Sequence, residues 1–133
     1  MSGMPAAKMN DQIVAMDTHI VMVPSPGGPV PTPTPGHPFN GVINGNLSNN
    51  VMISGMPAAT VDSTAQNMPP HIPIGGPSFQ IPPSNQARIV QGSLTVMVNG
   101  RGVARNGDPA LTCDDLVLAP QGQVVAAGTV LVG

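Results

Sequence analysis

The hexapeptide SGMPAA, residues 2–7, is repeated at residues 54–59. In each copy a histidine follows the proline by 14 positions, at His19 and at His71. Two of the chain's three histidines therefore occupy equivalent positions in two related segments. Self-similarity of this kind is typical of a fold built from repeated structural units.

A third, weaker copy appears further along the chain. VMISG at residues 51–55 aligns with VMVNG at residues 96–100, and Ala59 then aligns with Ala104. Each copy has the pattern of a short strand, a glycine turn, a small-residue segment and then a residue that binds metals, which is Cys113 after the third copy. We predict one domain, residues 1–133, with three pseudo-repeats near residues 2–23, 50–75 and 93–118.

The composition favours short β-strands over helices. The chain has 16 glycines and 17 prolines, no tryptophan or tyrosine, and only two phenylalanines. Glycine and proline recur too often for a helix of about ten residues. LTVMVNG, residues 94–100, instead alternates between two faces and ends in an Asn-Gly turn signal. We expect an all-β domain with strands of about three to seven residues and little helix.

One stretch departs from this pattern. PSPGGPVPTPTPGHPF, residues 24–39, favours an extended polyproline-type backbone. We interpret residues 24–38 as a long loop, fixed at its far end because it delivers His37 between a glycine and a proline. The C-terminal tail, residues 119–133, has no role that its sequence reveals. It is shorter than an ordinary domain, so any cargo is expected to be a separate chain.

Charge and targeting signals exclude several classes. The net charge is −2, and Lys8, Arg88, Arg101 and Arg105 are the fixed cations, so no basic stripe exists for binding nucleic acid. The first residues lack the apolar core of a signal peptide, and we expect the chain to start in the cytoplasm. A single cysteine excludes an internal disulfide, so a domain this poor in aromatic residues needs another means of stabilisation.

The histidines and the cysteine suggest a metal. His19, His37, His71 and Cys113 are the complete set of these residues, and four such ligands make a closed tetrahedral zinc site. Structural zinc would supply the missing stabilisation, so we predict one structural Zn²⁺. The short carboxylates of Asp17 and Asp114 neighbour candidate ligands and are expected to be outer-sphere or turn residues.

The sequence leaves other functions open beside a structural one. A zinc hydrolase would require one of the four ligands to be a bystander, since catalytic zinc keeps a position for water. A cysteine protease built on Cys113 and a histidine is compatible with the composition, although the chain has no glutamate and hence no HExxH motif. A zinc-stabilised adhesion or interaction module is a third alternative. We expect the protein not to be an enzyme.

MPAAK, MPAAT and GVARNGD, at residues 4–8, 56–60 and 102–108, resemble the Pro-Ala-Ala-Arg units of the PAAR-repeat family. The three-histidine, one-cysteine set resembles that family's zinc site, and the resemblance covers residues 2–118. It implies a small cone of β-strands, with zinc near the point, that caps the trimeric spike of a type VI secretion system or a related contractile injector. No copy spells the full tetrapeptide, and the proline-rich insertion is longer than a turn requires.

The resemblance also implies a partner and a route. We expect one chain to cap one homotrimeric spike of the valine-glycine-repeat (VgrG) type, because three internal units already imitate a trimer. The protein would contact the target membrane transiently, and any effector or adaptor would be a separate chain. The apparatus would export the protein, with no signal peptide, into the extracellular space or a target cell. The predicted partner-binding residues are the repeat-equivalent strand and turn positions Val51, Met52, Ile53, Ser54, Gly55, Val96, Met97, Val98, Asn99 and Gly100.

Overall fold

The computed structural model describes residues 3–115 and 118–133. Residues 1–2 and 116–117, which include the first serine of the repeat, lie outside this part. The described strands are β1 (Met4–Pro5), β2 (Gln12–Val23), β3 (Val30–Gly45), β4 (Met52–Ile53), β5 (Met56–Pro57), β6 (Thr64–Asn67), β7 (Ser78–Phe79), β8 (Gln86–Ile89), β9 (Met97–Val98), β10 (Arg101–Gly102), β11 (Pro109–Leu111), β12 (Gly122–Val125) and β13 (Leu131–Val132). No helix occurs in the described ranges, so none there could cross a membrane, and the all-β prediction is confirmed.

Six strands form a closed antiparallel ring in the order β12, β11, β8, β6, β3, β2, with β2 pairing back to β12. Ring closure leaves no free edge at this level of the molecule. One buried residue from each of three strands, Ile43, Ile89 and Val124, fills the interior together with Ile13. The ring is thus the main core of the domain.

The ring has threefold pseudo-symmetry that follows the sequence repeat. In each unit an outgoing strand (β2, β6 or β11) pairs with its own return strand (β3, β8 or β12). Three alanines, all fully buried, link the units: Ala7 N donates to Ala104 O at 2.8 Å, Ala104 N to Ala59 O at 3.0 Å, and Ala59 N to Ala7 O at 3.0 Å. Because these backbones meet directly, only a small side chain fits at each position, which explains why the second alanine of Pro-Ala-Ala occurs in all three copies.

One two-stranded arm adjoins the start of each unit. Arm 2 is β4 with β5, arm 3 is β9 with β10, and arm 1 is β13 with β1. The arms carry equivalent hydrogen bonds: Ala58 N donates to Val51 O at 3.0 Å, Val103 N to Val96 O at 3.1 Å, and Ala6 N to Val130 O at 2.9 Å. Both ends of the chain therefore build the first unit, and the tail 119–133 contributes the strands β12 and β13.

Two predictions are wrong in part, the strand lengths of about three to seven residues and the proline-rich loop at residues 24–38. β2 and β3 have 12 and 16 residues, and β3 begins at Val30, inside the predicted 24–38 loop. Three prolines in this segment, Pro31, Pro33 and Pro35, occupy alternate positions, so their missing N–H groups share one edge of β3. The segment pairs with β2 from Val30 to Thr34. Among the described strands, only β7, β2 and β3 continue side by side beyond the ring, so the sheet is narrower at this end.

A β-bulge turns His37 inward. Asp17 pairs with His37 and His19 with Thr34, so one residue of β2 faces two of β3. The bulge contains Gly36, whose φ of +88° is available to glycine at little cost. Before the bulge, Pro31, Pro33 and Pro35 are exposed. After it, His37 and Phe39 are buried. The prolines thus remain outside while the histidine faces the interior.

Candidate metal centre

Every unit sends a segment beyond the ring, and each segment carries a side chain of a type that can bind a metal. The first, between the outgoing and return parts of β2 and β3, holds His19 and His37; the second, after β6, holds His71; the third, after β11, holds Cys113. His19 lies six residues past the ring residue Ile13 along an extended strand, which corresponds to about 20 Å. The four predicted residues therefore meet at the narrow end.

A compact donor cluster contains three of these four residues. One ligand atom each from Asp17, His19, His71 and Cys113 lies within 4.8 Å of the others. Cys113 Sγ is 3.6 Å from His19 Nε2 and 3.4 Å from Asp17 Oδ2. Two ligands of one tetrahedral zinc, at 2.3 Å for sulfur and about 2.0 Å for nitrogen, are about 3.5 Å apart, so these separations fit a shared metal.

The fourth predicted ligand, His37, lies beside the cluster. Its ring centroid is 5.3 Å from that of His19 and 5.8 Å from that of His71, and the His19 and His71 centroids are 4.8 Å apart. Imidazoles that share a tetrahedral zinc have centroids about 5 Å apart, so the trio has suitable spacing. His37 Nδ1 is 3.1 Å from Thr34 O, while its Nε2 accepts a hydrogen bond from Ile74 N at 3.3 Å.

Sequence reasoning placed Asp17 outside the ligand set, and the structure puts its carboxylate among the donors. Asp17 is fully buried, with Oδ2 3.0 Å from His71 Nε2 and Oδ1 accepting a hydrogen bond from the Thr112 hydroxyl. The alternation of β2 was the available signal, because Asp17 and His19 are two positions apart and so face the same side. The cluster thus offers four donors, Asp17, His19, His71 and Cys113, and His37 lies beside it.

Burial and charge both favour a cation here. The side chains of His19, His71 and Asp17 are at most 1% exposed. Burial, the neighbouring Asp17 charge and the hydrogen bond to Asp17 raise the pKa of the Cys113 thiol to about 12. Burial and the neighbouring imidazoles lower the pKa of His37. A thiolate at this position therefore needs a positive partner.

The fixed cations do not supply that partner. In the described ranges, the ion pairs of lysine and arginine are Lys8–Asp11, Arg105–Asp108, and Arg88 and Arg101 with Asp62. They lie in the ring and arms. The other three aspartates, Asp17, Asp114 and Asp115, all lie at the histidine cluster, and burial raises the pKa of Asp114. A divalent ion is the chemical group that would balance this cluster.

A cavity of about 310 Å³ adjoins the cluster and is lined by His37, His71, Met68 and Ile74 among others. The imidazoles of His37 and His71 thus border a space beside the cluster. The set of soft and borderline donors matches zinc better than magnesium or calcium, which prefer oxygen ligands.

Comparison with protein families gives a match to the PAAR motif over residues 22–119. The chain belongs to the PAAR-motif family. The match spans well over half of the chain and includes two of the three pseudo-repeats and three of the predicted ligands in full. A comparison with curated proteins gives no significant match. PAAR-motif proteins are structural tip proteins of contractile injection systems and are associated with VgrG spikes, which supports that general role for this one.

The predicted partner-binding residues of this PAAR-motif protein lie in arms 2 and 3. Met52 and Met97 are 58% and 54% exposed at equivalent positions. Both turns have consecutive residues with positive φ, Ser54 with Gly55 and Asn99 with Gly100. Ile53, by contrast, is buried against neighbouring arms, and its side chain supports arm 2 instead of facing outward. Val51 and Val96 are about two-fifths exposed, and Val98 is half-buried.

Proposed function

We propose that one chain of this protein caps one homotrimeric VgrG-type spike of a contractile injection apparatus, with the arms on the trimer and the metal end leading. The observation that carries this proposal is the threefold equivalence of the arms around the Ala7, Ala59 and Ala104 hydrogen-bond ring. A single chain with such symmetry matches a threefold partner without trimerising itself.

The outward side chains of the arms have the chemistry of a docking face. Met52, Met97 and Leu131 are equivalent, and each is more than half exposed. A repeated set of large apolar side chains on one end of a protein is typical of an interaction surface. Leu131 belongs to the tail, so the face has a third part that sequence analysis did not include among the partner-binding residues.

The opposite end has the properties of a leading point. Residues 18–61 and 63–87, which supply most of the chain beyond the ring, contain no aspartate, glutamate, lysine or arginine. Exposed residues there include Ile72, Ile74 and Val30. The three aspartates at this end, Asp17, Asp114 and Asp115, lie at the histidine cluster. Charged side chains are costly in a bilayer, so an outer surface built from these uncharged segments is suited to transient passage through a target membrane. The chain would be made in the cytoplasm and exported when the apparatus fires.

We further propose that zinc bound by His19, His37, His71 and Cys113 holds this end together, with Asp17 as a competing or additional ligand. When bound, zinc would cross-link segments from all three units and stabilise the folded state. Burial of the donors favours this structural role over the hydrolase alternative, since little of the cluster is open to a substrate.

Native mass spectrometry of the protein co-expressed with its cognate spike tests the capping model. The expected complex has one copy of this chain and one spike trimer. Met52→Asp or Met97→Asp should abolish it, because a charge would be buried at the interface. Val30→Asp, an equally drastic change at the opposite end, should leave it intact. A complex with three copies of this chain, or equal binding by all three variants, would refute the model.

Elemental analysis tests the metal separately. Purified protein should contain about one zinc per chain, as expected for one site. His37→Gln and Asp17→Asn then decide the fourth ligand, since loss of the true ligand should weaken zinc binding more strongly. A melting temperature that is unchanged after chelation would contradict the structural role.

A further inference from the structure

One ring nitrogen of His19 faces a carboxylate to which no role has yet been assigned. His19 is fully buried, and its Nε2 points toward Cys113 Sγ in the donor cluster. Its Nδ1 is buried and has no hydrogen-bond partner among the described residues. The same atom lies only 3.2 Å from Asp115 Oδ1, although the two groups are not aligned for a hydrogen bond.

Asp115 is fixed in place by the backbone of β2. Its Oδ2 accepts a hydrogen bond from Ile20 N at 2.8 Å, and its own N–H donates to Thr18 O at 3.0 Å. The side chain is only 7% exposed. These two bonds flank His19 in the strand, so the second carboxylate oxygen is held next to the imidazole without needing the histidine to position it.

No fixed cation competes with His19 for Asp115 Oδ1 among the described ion pairs. The described ion pairs of the four fixed cations are all made with Asp11, Asp62 and Asp108. The adjacent Asp114 directs its oxygens elsewhere, to Thr18 N at 2.8 Å and to the Gln121 amide. Asp114 and Asp115 thus have the same charge and adjacent positions but different targets.

We propose that Asp115 is a positioning residue that accepts the Nδ1 proton of His19 and thereby fixes the tautomer that leaves Nε2 free to bind the metal. A histidine that binds a metal through one nitrogen commonly donates the other N–H to a carboxylate, which orients the ring and increases its basicity. The inference rests on the proposed zinc site and adds to it the group that prepares one ligand for binding.

Zinc competition titration of the full chain against a chromophoric chelator tests the proposal. Asp115→Asn should weaken zinc binding about 10- to 100-fold, the usual effect of removing such a partner. The amide oxygen of asparagine can still accept the Ile20 N–H, so the fold should be kept. The matched control is Asp114→Asn, which removes the same charge one residue away. It should weaken zinc binding clearly less than Asp115→Asn, since the Asp114 oxygens bond to Thr18 N and the Gln121 amide and not to a histidine ring.

Long-range nitrogen–proton NMR of the histidine rings supplies a second measurement. Its signals would not change if Asp115 had a merely structural role. In the zinc-loaded protein, His19 should carry its proton on Nδ1 and the metal on Nε2, and Asp115→Asn should perturb the Nδ1 signal. Equal losses of affinity in the two variants, or metal on Nδ1, would overturn the proposal. Normal zinc binding by Asp115→Asn would overturn it while leaving the zinc site intact, whereas absence of zinc binding by the original chain would overturn both.

Discussion

Replacing Val132 by alanine should measure how much the final strand stabilises the domain. Val132 is 6% exposed and packs in a cluster with Ala6, Ile53, Ala58 and Val103, which come from all three units. The substitution removes two methyl groups, worth about 0.8 kcal/mol each, and leaves a small cavity, so we expect a loss of about 2 kcal/mol. For a domain of this size the melting temperature should fall by about 6–10 °C.

Thermal unfolding followed by circular dichroism, with zinc kept in excess in every sample, provides the assay. Constant metal is necessary because any ligand of the folded state raises its apparent stability. The matched control is Leu131→Ala, one position earlier and 58% exposed, which should change stability by no more than about 0.5 kcal/mol. Identical melting temperatures for the two variants would refute the reasoning, since β13 would then not pack against the other arms in solution.

Three further outcomes are expected. Cys113→Ser should lower the melting temperature of the zinc-loaded protein markedly, because a hydroxyl is a much poorer zinc ligand than a thiolate; an unchanged value would mean that Cys113 is not a ligand. In metal-free protein, the free energy of unfolding should fall as pH rises from 9.0 toward about 12, because the unfolded thiol ionises in that range while the buried one stays protonated; denaturant titrations should show this fall, and Cys113→Ser should lack it. Gly36→Ala should destabilise by about 1–2 kcal/mol, since alanine is strained at a φ of +88°; a neutral effect in the same titrations would show that the bulge is not kept in solution.

The repeat made the central part of this fold predictable. Equivalent positions such as Ala59 and Ala104 aligned correctly from sequence, because tight contact at the axis admits only small side chains there. The four candidate ligands were predicted from residue count and type, and the structure brings them to one end. The zinc itself stays a prediction.

Other features depended on contacts that no local pattern reveals. Residues 30–38 have the composition of a loop, yet the long β2 provides a partner for the edge that carries no proline nitrogen. Arm 1 was missed because its two strands, β1 and β13, lie at opposite ends of the sequence. The inclusion of Asp17 among the donors depends on how His71 approaches from another unit.

The closed ring has a consequence for the order in which the protein folds. Ala6 bonds to Val130, 124 positions away, and β2 needs β12 as its second neighbour in the ring. Neither pairing exists until almost the whole polypeptide has left the ribosome, and bringing such distant segments together is entropically slow. We therefore expect nascent chains to wait in an open form with the edge of β2 exposed, so that protection from aggregation during synthesis matters more for this protein than for one whose neighbouring strands are adjacent in sequence.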